Sequence, residues 1–107
     1  MISKKAKLNE TATVGHYVFI EDGVEIGAGT VIKNFVEIRN NVIIGDNCII
    51  ESHTIIDSGA TIRNKTGIEP FSHVKGSIGP GIYGGVPLQE RRWKGDYVKI
   101  INPTCFE

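Results

Sequence analysis

Apolar residues recur along this chain at every sixth position. From Ile2 the series runs Leu8, Val14, Ile20, Ile26, Ile32, Ile38, Ile44, Ile50, Ile56, Ile62, Ile68 and Val74, with no polar residue in any slot. Two residues before each aliphatic from Leu8 onward stands a small or β-branched residue: Ala6, Ala12, Val18, Val24, Thr30, Val36, Val42, Cys48, Thr54, Ala60, Thr66 and Ser72. Glycine follows the aliphatic at 15, 27 and 45. A period of six drifts around a helix of 3.6 residues per turn, so a helix does not hold this pattern on one face. A strand does, because residues two apart share a face. The pattern predicts one short strand per hexad, its large and small residues both pointing inward, with a turn after each. The abundance of β-branched residues agrees with strands.

These columns resemble the hexapeptide-repeat, left-handed parallel β-helix family over residues 1 to about 76. The resemblance implies three hexads per triangular coil, so that 18 residues return the chain to the same corner. The expected fold is all-β: a left-handed parallel β-helix of about four coils spanning 1–76, then a short C-terminal loop and strand extension over 77–107. Successive coils would lie about 4.8 Å apart. The left hand comes from the resemblance, since parallel crossovers are otherwise right-handed. So short a prism leaves two open ends, and association would help it.

Reading down steps of 18 turns the sequence into vertical columns. Tyr17, Phe35, His53 and Phe71 form an aromatic column along one edge. Phe19, Val31, Ile49 and Ile55 occupy outward strand positions beside that edge, and Ile43 lies on the remaining face. An exposed apolar patch of this kind marks an interface. The resemblance implies a homotrimer with this edge on the threefold axis. The alternative is the partly covered surface of a single chain. Glu21, Arg39 and Asp57 alternate in sign up another column, and Lys33, Glu51 and Glu69 form a weaker one. Both read as solvated ladder charges worth little.

Composition narrows the classes. At 107 residues the chain is one small domain. Twelve basic residues balance twelve acidic ones, so no global field draws nucleic acid or an anionic membrane. No uncharged run approaches the roughly 20 residues of a spanning helix, so membrane insertion is not expected. The start, Met1 to Lys5, lacks the apolar stretch of a signal peptide. Two cysteines, Cys48 and Cys105, make no disulfide framework. A reduced, cytoplasmic protein is expected.

After Val74 the repeat fades. Residues 75–85 read as a glycine-rich loop, Tyr97 to Ile101 as a last strand, and Asn102-Pro103 as its end. Pro80-Gly81-Ile82-Tyr83-Gly84-Gly85-Val86-Pro87-Leu88-Gln89, followed by Trp93, resembles the end of the β-helix in the UDP-3-O-acylglucosamine N-acyltransferases of lipid A synthesis. The spacing here is one residue shorter on each side of Pro-Leu-Gln. The chain starts on the first coil, so the nucleotide-binding N-terminal domain of those enzymes is expected to be absent, as is their helical C-terminal extension. The resemblance implies transfer of an acyl group from CoA or acyl carrier protein to a sugar or amino sugar at subunit interfaces. It places the donor at Tyr83, Pro87, Arg91, Arg92 and Trp93. Arg91, Arg92 and Lys94 would face the CoA phosphates or an acidic carrier protein, with Trp93 against the adenine or pantetheine. The alternative is a solvated turn.

Acyl transfer needs a general base near the acceptor and a donor for the oxyanion. The family uses a histidine four residues before a hexad aliphatic, in a context matched here by Arg39-Asn40-Asn41-Val42-Ile43-Ile44-Gly45-Asp46-Asn47. Asn40 fills the histidine position, and an amide does not accept a proton at neutral pH. It could instead orient the acceptor or polarise a carbonyl. Of the three histidines, His53 with Glu51 nearby is the first candidate base and His16 the second. His73 reads as a surface residue beside the tail. Cys48 faces the core and makes a poor nucleophile. The histidines are 37 and 20 residues apart, which does not offer a three-ligand zinc site, so no metal is expected. Thr30, Thr54 and Thr66 point inward, which excludes an outward ice-binding threonine ladder. Two functions stay open: an acyltransferase of this type, or a non-catalytic trimeric β-helix, a scaffold or sugar-binding module, that has lost the base.

Overall fold

The structure, a computed structural model, describes residues 1–86 and 88–90. The described part contains strands and turns and no helix. The strands stack into three parallel sheets that form the walls of a left-handed β-helix of about four coils. The first wall stacks β1 (Lys7–Leu8), β4 (Glu25–Ile26), β7 (Ile43–Ile44), β10 (Thr61–Ile62) and β13 (Ser77–Ile78). The second stacks β2 (Thr13–Val14), β5 (Val31–Ile32), β8 (Ile49–Ile50), β11 (Thr66–Ile68) and β14 (Gly81–Gly84), and β15 (Gln89–Glu90) closes it antiparallel. The third stacks β3 (Phe19–Ile20), β6 (Glu37–Ile38), β9 (Ile55–Ile56) and β12 (His73–Val74).

The register follows the hexads. Ile26 pairs with Ile44 and Ile44 with Ile62; Ile20 pairs with Ile38 and Ile38 with Ile56. These aliphatics and the small column beside them fill one continuous core. Thr30, Thr54, Thr66 and Ser72 lie in that core, and their hydroxyls donate to carbonyls of Gly45, Glu69, Arg63 and Glu69. Burying a hydroxyl is tolerated only when it is so paired.

Every sixth residue from 17 to 71 has positive φ. That is the corner residue of each hexad, three before the aliphatic. Gly23, Gly29 and Gly59 take this conformation without a Cβ penalty, and Asn41 and Asn47 with a small one. The edge between the second and third walls instead places Tyr17, Phe35, His53 and Phe71 there, with φ from 57 to 62°. Their rings stack with centroids 5.2, 4.9 and 4.7 Å apart and planes within 15°. Each such contact contributes about 0.5–1.5 kcal/mol, which offsets part of the roughly 1–2 kcal/mol a left-handed residue costs. The glycines after the aliphatics have a different cause. A Cβ at Gly15, Gly27 or Gly45 would collide with the side-chain oxygen of Asn34, Asp46 or Asn64 from the next coil. Those oxygens accept the backbone N–H of His16, Ala28 and Asp46, 2.7–2.8 Å away, and so tie each corner to the one above.

Three expectations change. The segment 75–85 is not simply loop: it carries β13 and β14, which continue the first and second walls. This last coil is short, because Ile62 pairs with Ile78 and Ile68 with Tyr83, 16 and 15 residues on instead of 18. Ile49 is outward but only 1% exposed, so it adds nothing to an exposed patch, whereas Tyr17 and Phe71 are 73% and 68% exposed. The Glu21–Arg39–Asp57 column does not pair along itself. The Arg39 guanidinium lies 2.9 Å from Glu37 on its own coil, while the Asp57 carboxylate turns to His73.

Candidate active site

The third wall ends at β12, and there the sequence brings a histidine and an aspartate together. His73 and Asp57 belong to neighbouring outward columns on successive coils. His73 projects from the strand, and Asp57 follows Ile56 one coil below. His73 Nε2 lies 2.7 Å from Asp57 Oδ1, with both side chains about one-third exposed. Lys75 Nζ is 4.0 Å from Asp57 Oδ2. The hydrogen bond from His73 holds the Asp57 carboxyl below its ordinary value of 3.8; partial burial opposes this, and the charges of His73, Lys75 and Arg39 add to it. An ionised carboxylate only accepts hydrogen bonds, so Nε2 is the donor. Nδ1 then carries the lone pair and is the basic nitrogen.

His73 and Lys75 border a half-open cavity of about 490 Å³ at the upper end of the prism. Ile78, Tyr83, Val86, Leu88 and Glu90 complete its lining. Ile78 and Tyr83 stand in the inward columns of the short last coil, so the cavity continues the apolar bore of the solenoid. The Tyr83 hydroxyl accepts the N–H of Gly79 at 3.1 Å, which anchors the ring in the wall. The site is thus an apolar cleft with a carboxylate-held imidazole and an ammonium at its rim.

The residues singled out from the sequence fall in three places. His53 is sandwiched between Phe35 and Phe71 on the aromatic edge. His16 lies on the same edge two coils below, and its backbone N–H donates to Asn34. Asn40 lies on the next edge, where its N–H donates to Glu21 at 2.9 Å and its Oδ1 accepts the Ser58 hydroxyl at 2.6 Å. These three do not converge. Of the donor-site residues, Tyr83 lines the cavity, while Pro87, Arg91, Arg92 and Trp93 lie outside the described residues, as do Tyr97 to Ile101. The residues missed from the sequence are His73 as part of a dyad, Asp57 as its partner, and Lys75. One signal was available: Lys75 extends the alternating column Glu21, Arg39, Asp57 by one step, and His73 is diagonal to it.

Stacked three-walled coils with Ile, Leu or Val at every sixth position define a hexapeptide-repeat β-helix. Residues 25–58, about a third of the chain, match the family model described as bacterial transferase hexapeptide (six repeats). Two solved structures share the fold. One is a hexapeptide-repeat-containing acetyltransferase of Vibrio cholerae O1 biovar eltor, complexed with acetyl coenzyme A. It is 17% identical with a TM-score of 0.59, over 83% of this chain and 70% of that one. The other is a Bacillus cereus protein described as an acetyltransferase, 17% identical with a TM-score of 0.52, over 94% of this chain and 87% of that one. A search of curated protein sequences finds no significant match. The chain therefore shares the β-helix fold of these two structures. Among the described residues no helix is long and apolar enough to cross a membrane.

Proposed function

We propose that this chain is an acyltransferase that moves an acyl group from CoA or an acyl carrier protein to a sugar or amino sugar, with His73 as general base. The observation that carries this reading is the 2.7 Å His73–Asp57 contact at the rim of an apolar cavity. Asp57 holds Nε2–H, fixes the tautomer and leaves Nδ1 to act as the base. Nδ1 takes the proton of the acceptor hydroxyl or amine as its oxygen or nitrogen attacks the thioester carbonyl. The tetrahedral oxyanion collapses with cleavage of the carbon–sulfur bond, and His73 returns the proton to the departing thiolate. Lys75 supplies positive charge beside the developing oxyanion. The acetyl coenzyme A bound by the Vibrio cholerae protein supports a CoA donor. The proposed contacts of Arg91, Arg92 and Trp93 would hold its phosphates and adenine.

The aromatic edge is proposed to face the threefold axis of a homotrimer. Phe71→Asp, and Phe35→Ser more mildly, should convert trimer to monomer in sedimentation velocity. Intact trimers in both variants would remove the axis from this edge.

A second reading, a non-catalytic scaffold or sugar-binding module, draws on Asn40. The residue in the family's histidine register is an amide fixed in ladder hydrogen bonds to Glu21 and Ser58. Calorimetric titration with acetyl-CoA and free CoA, run beside a thiol-release assay against amino-sugar acceptors, separates the two. Saturable binding of about one donor per subunit with release of CoA thiol supports transfer. Absence of binding to millimolar donor, with carrier-protein thioesters equally inert, supports the scaffold.

A further inference from the structure

The cavity beside His73 has a shape and chemistry that speak to the transferred group itself. Its volume, about 490 Å³, falls within the range of small-molecule sites. An acetyl group has one heavy atom, its methyl carbon, beyond the thioester carbonyl to offer it, and would leave nearly all of that space unfilled. The walls are Ile78, Tyr83, Val86 and Leu88, with His73, Lys75 and Glu90 placed around them. The Tyr83 hydroxyl accepts the Gly79 N–H, which holds the ring in the wall so that its face lends apolar surface to the cavity. A polar acceptor sugar would find few partners on such walls, and stripping its hydroxyls of water there would be costly. Val86 is 70% exposed although it lines the cavity, so apolar surface at this point still meets water.

We infer that this cavity seats the hydrocarbon chain of the donor, and that the transferred acyl group is a medium-length chain rather than acetyl. This rests on the reading of His73 as the base of acyl transfer. A methylene occupies about the volume of a water molecule, roughly 30 Å³. Allowing for the open mouth and for the thioester itself, chains of about six to eight carbons fill the apolar part of the cavity. The thioester carbonyl then lies at the rim, beside His73 Nδ1 and the Lys75 ammonium. The sugar or amino-sugar acceptor approaches from the solvent side. Each methylene moved from water onto the walls should tighten binding by about fourfold.

The test is a calorimetric series of acetyl-, butyryl-, hexanoyl-, octanoyl- and dodecanoyl-CoA, with thiol release measured for each. The expected result is a stepwise gain in affinity to about hexanoyl or octanoyl and none beyond. Val86→Trp, checked for an unchanged thermal melt, should move that limit to a shorter chain without weakening acetyl-CoA binding. Affinity that is flat across the series, or a limit that Val86→Trp does not move, overturns the chain seat and leaves the acyltransferase reading standing. A chain-length gradient that responds to Val86→Trp, with no thiol release for any acceptor tried, supports the seat and overturns the transfer reading. Failure of every acyl-CoA to bind overturns the chain seat, and with carrier-protein thioesters equally inert it overturns the transfer reading as well.

Discussion

His73→Asn should lower kcat/KM for acyl transfer by about 10²–10⁴-fold while leaving donor affinity and the thermal melt near wild type. The side chain is about one-third exposed and outside the core, so its removal creates no cavity. What is lost is the basic Nδ1 nitrogen of the imidazole at the rim of the cleft. Asp57→Asn should cost a comparable amount, up to about 10⁴-fold. The amide can donate to Nε2 where the carboxylate accepted, and the imidazole proton then shifts to Nδ1, which no longer takes a proton from the acceptor. The linkage to pH has a definite sign. Asp57 titrates below 3.8 in the folded chain, so its pairing with His73 stabilises the fold above the ordinary carboxylate range. That contribution fades as pH falls through the lowered folded value. Loss of activity between pH 7 and 5 would therefore not report Asp57. If His53→Asn matched the loss while His73→Asn kept full rate, the base would belong to the aromatic edge.

The same arithmetic that made the fold readable concealed this pair. A repeat of six with inward aliphatics has one strand solution, and a step of 18 places residues above one another before any coordinates exist. The stacked rings of Tyr17, Phe35, His53 and Phe71 were legible for that reason, as was the inward column ending at Ser72. The 57–73 contact spans 16 residues and joins neighbouring columns on a diagonal. Column reading compares a residue with those directly above and below, so it set Asp57 against Arg39 and His73 against Ile55. The last coil defeats the method for a further reason. Its corners shorten where Gly79 and Gly81 take φ of 110 and 139°, values that a side chain rarely adopts. With the step reduced to 16 and then 15, Ile78 and Tyr83 drop out of the 18-residue columns, although they stand over Ile62 and Ile68. The cavity forms where the regular repeat breaks, which is where sequence periodicity carries the least information.

Ile44→Asp should leave the chain unfolded, and Ile43→Asp one residue away should not. Ile44 is 2% exposed and pairs with Ile26 below and Ile62 above, in the middle of the first wall. Truncating a buried isoleucine costs about 2–5 kcal/mol. The carboxylate adds the larger penalty, because among the described residues the bore around it holds aliphatics and paired hydroxyls and no cation. Small domains have about 5–15 kcal/mol in total, and a short solenoid transmits the loss to every coil, since each coil is stable only through its neighbours. Ile43 is 40% exposed on the outer face of the same strand. Aspartate there faces water beside Glu25 and Thr61, its partners in the wall, at a cost of a few tenths to about 1 kcal/mol. Circular dichroism melts of the two variants read the alternation directly, because a register shifted by one residue would exchange their phenotypes. A cooperative wild-type melt for Ile44→Asp would mean that the inward face of this strand has been assigned to the wrong residue, and with it the bore that ends in the cavity beside His73.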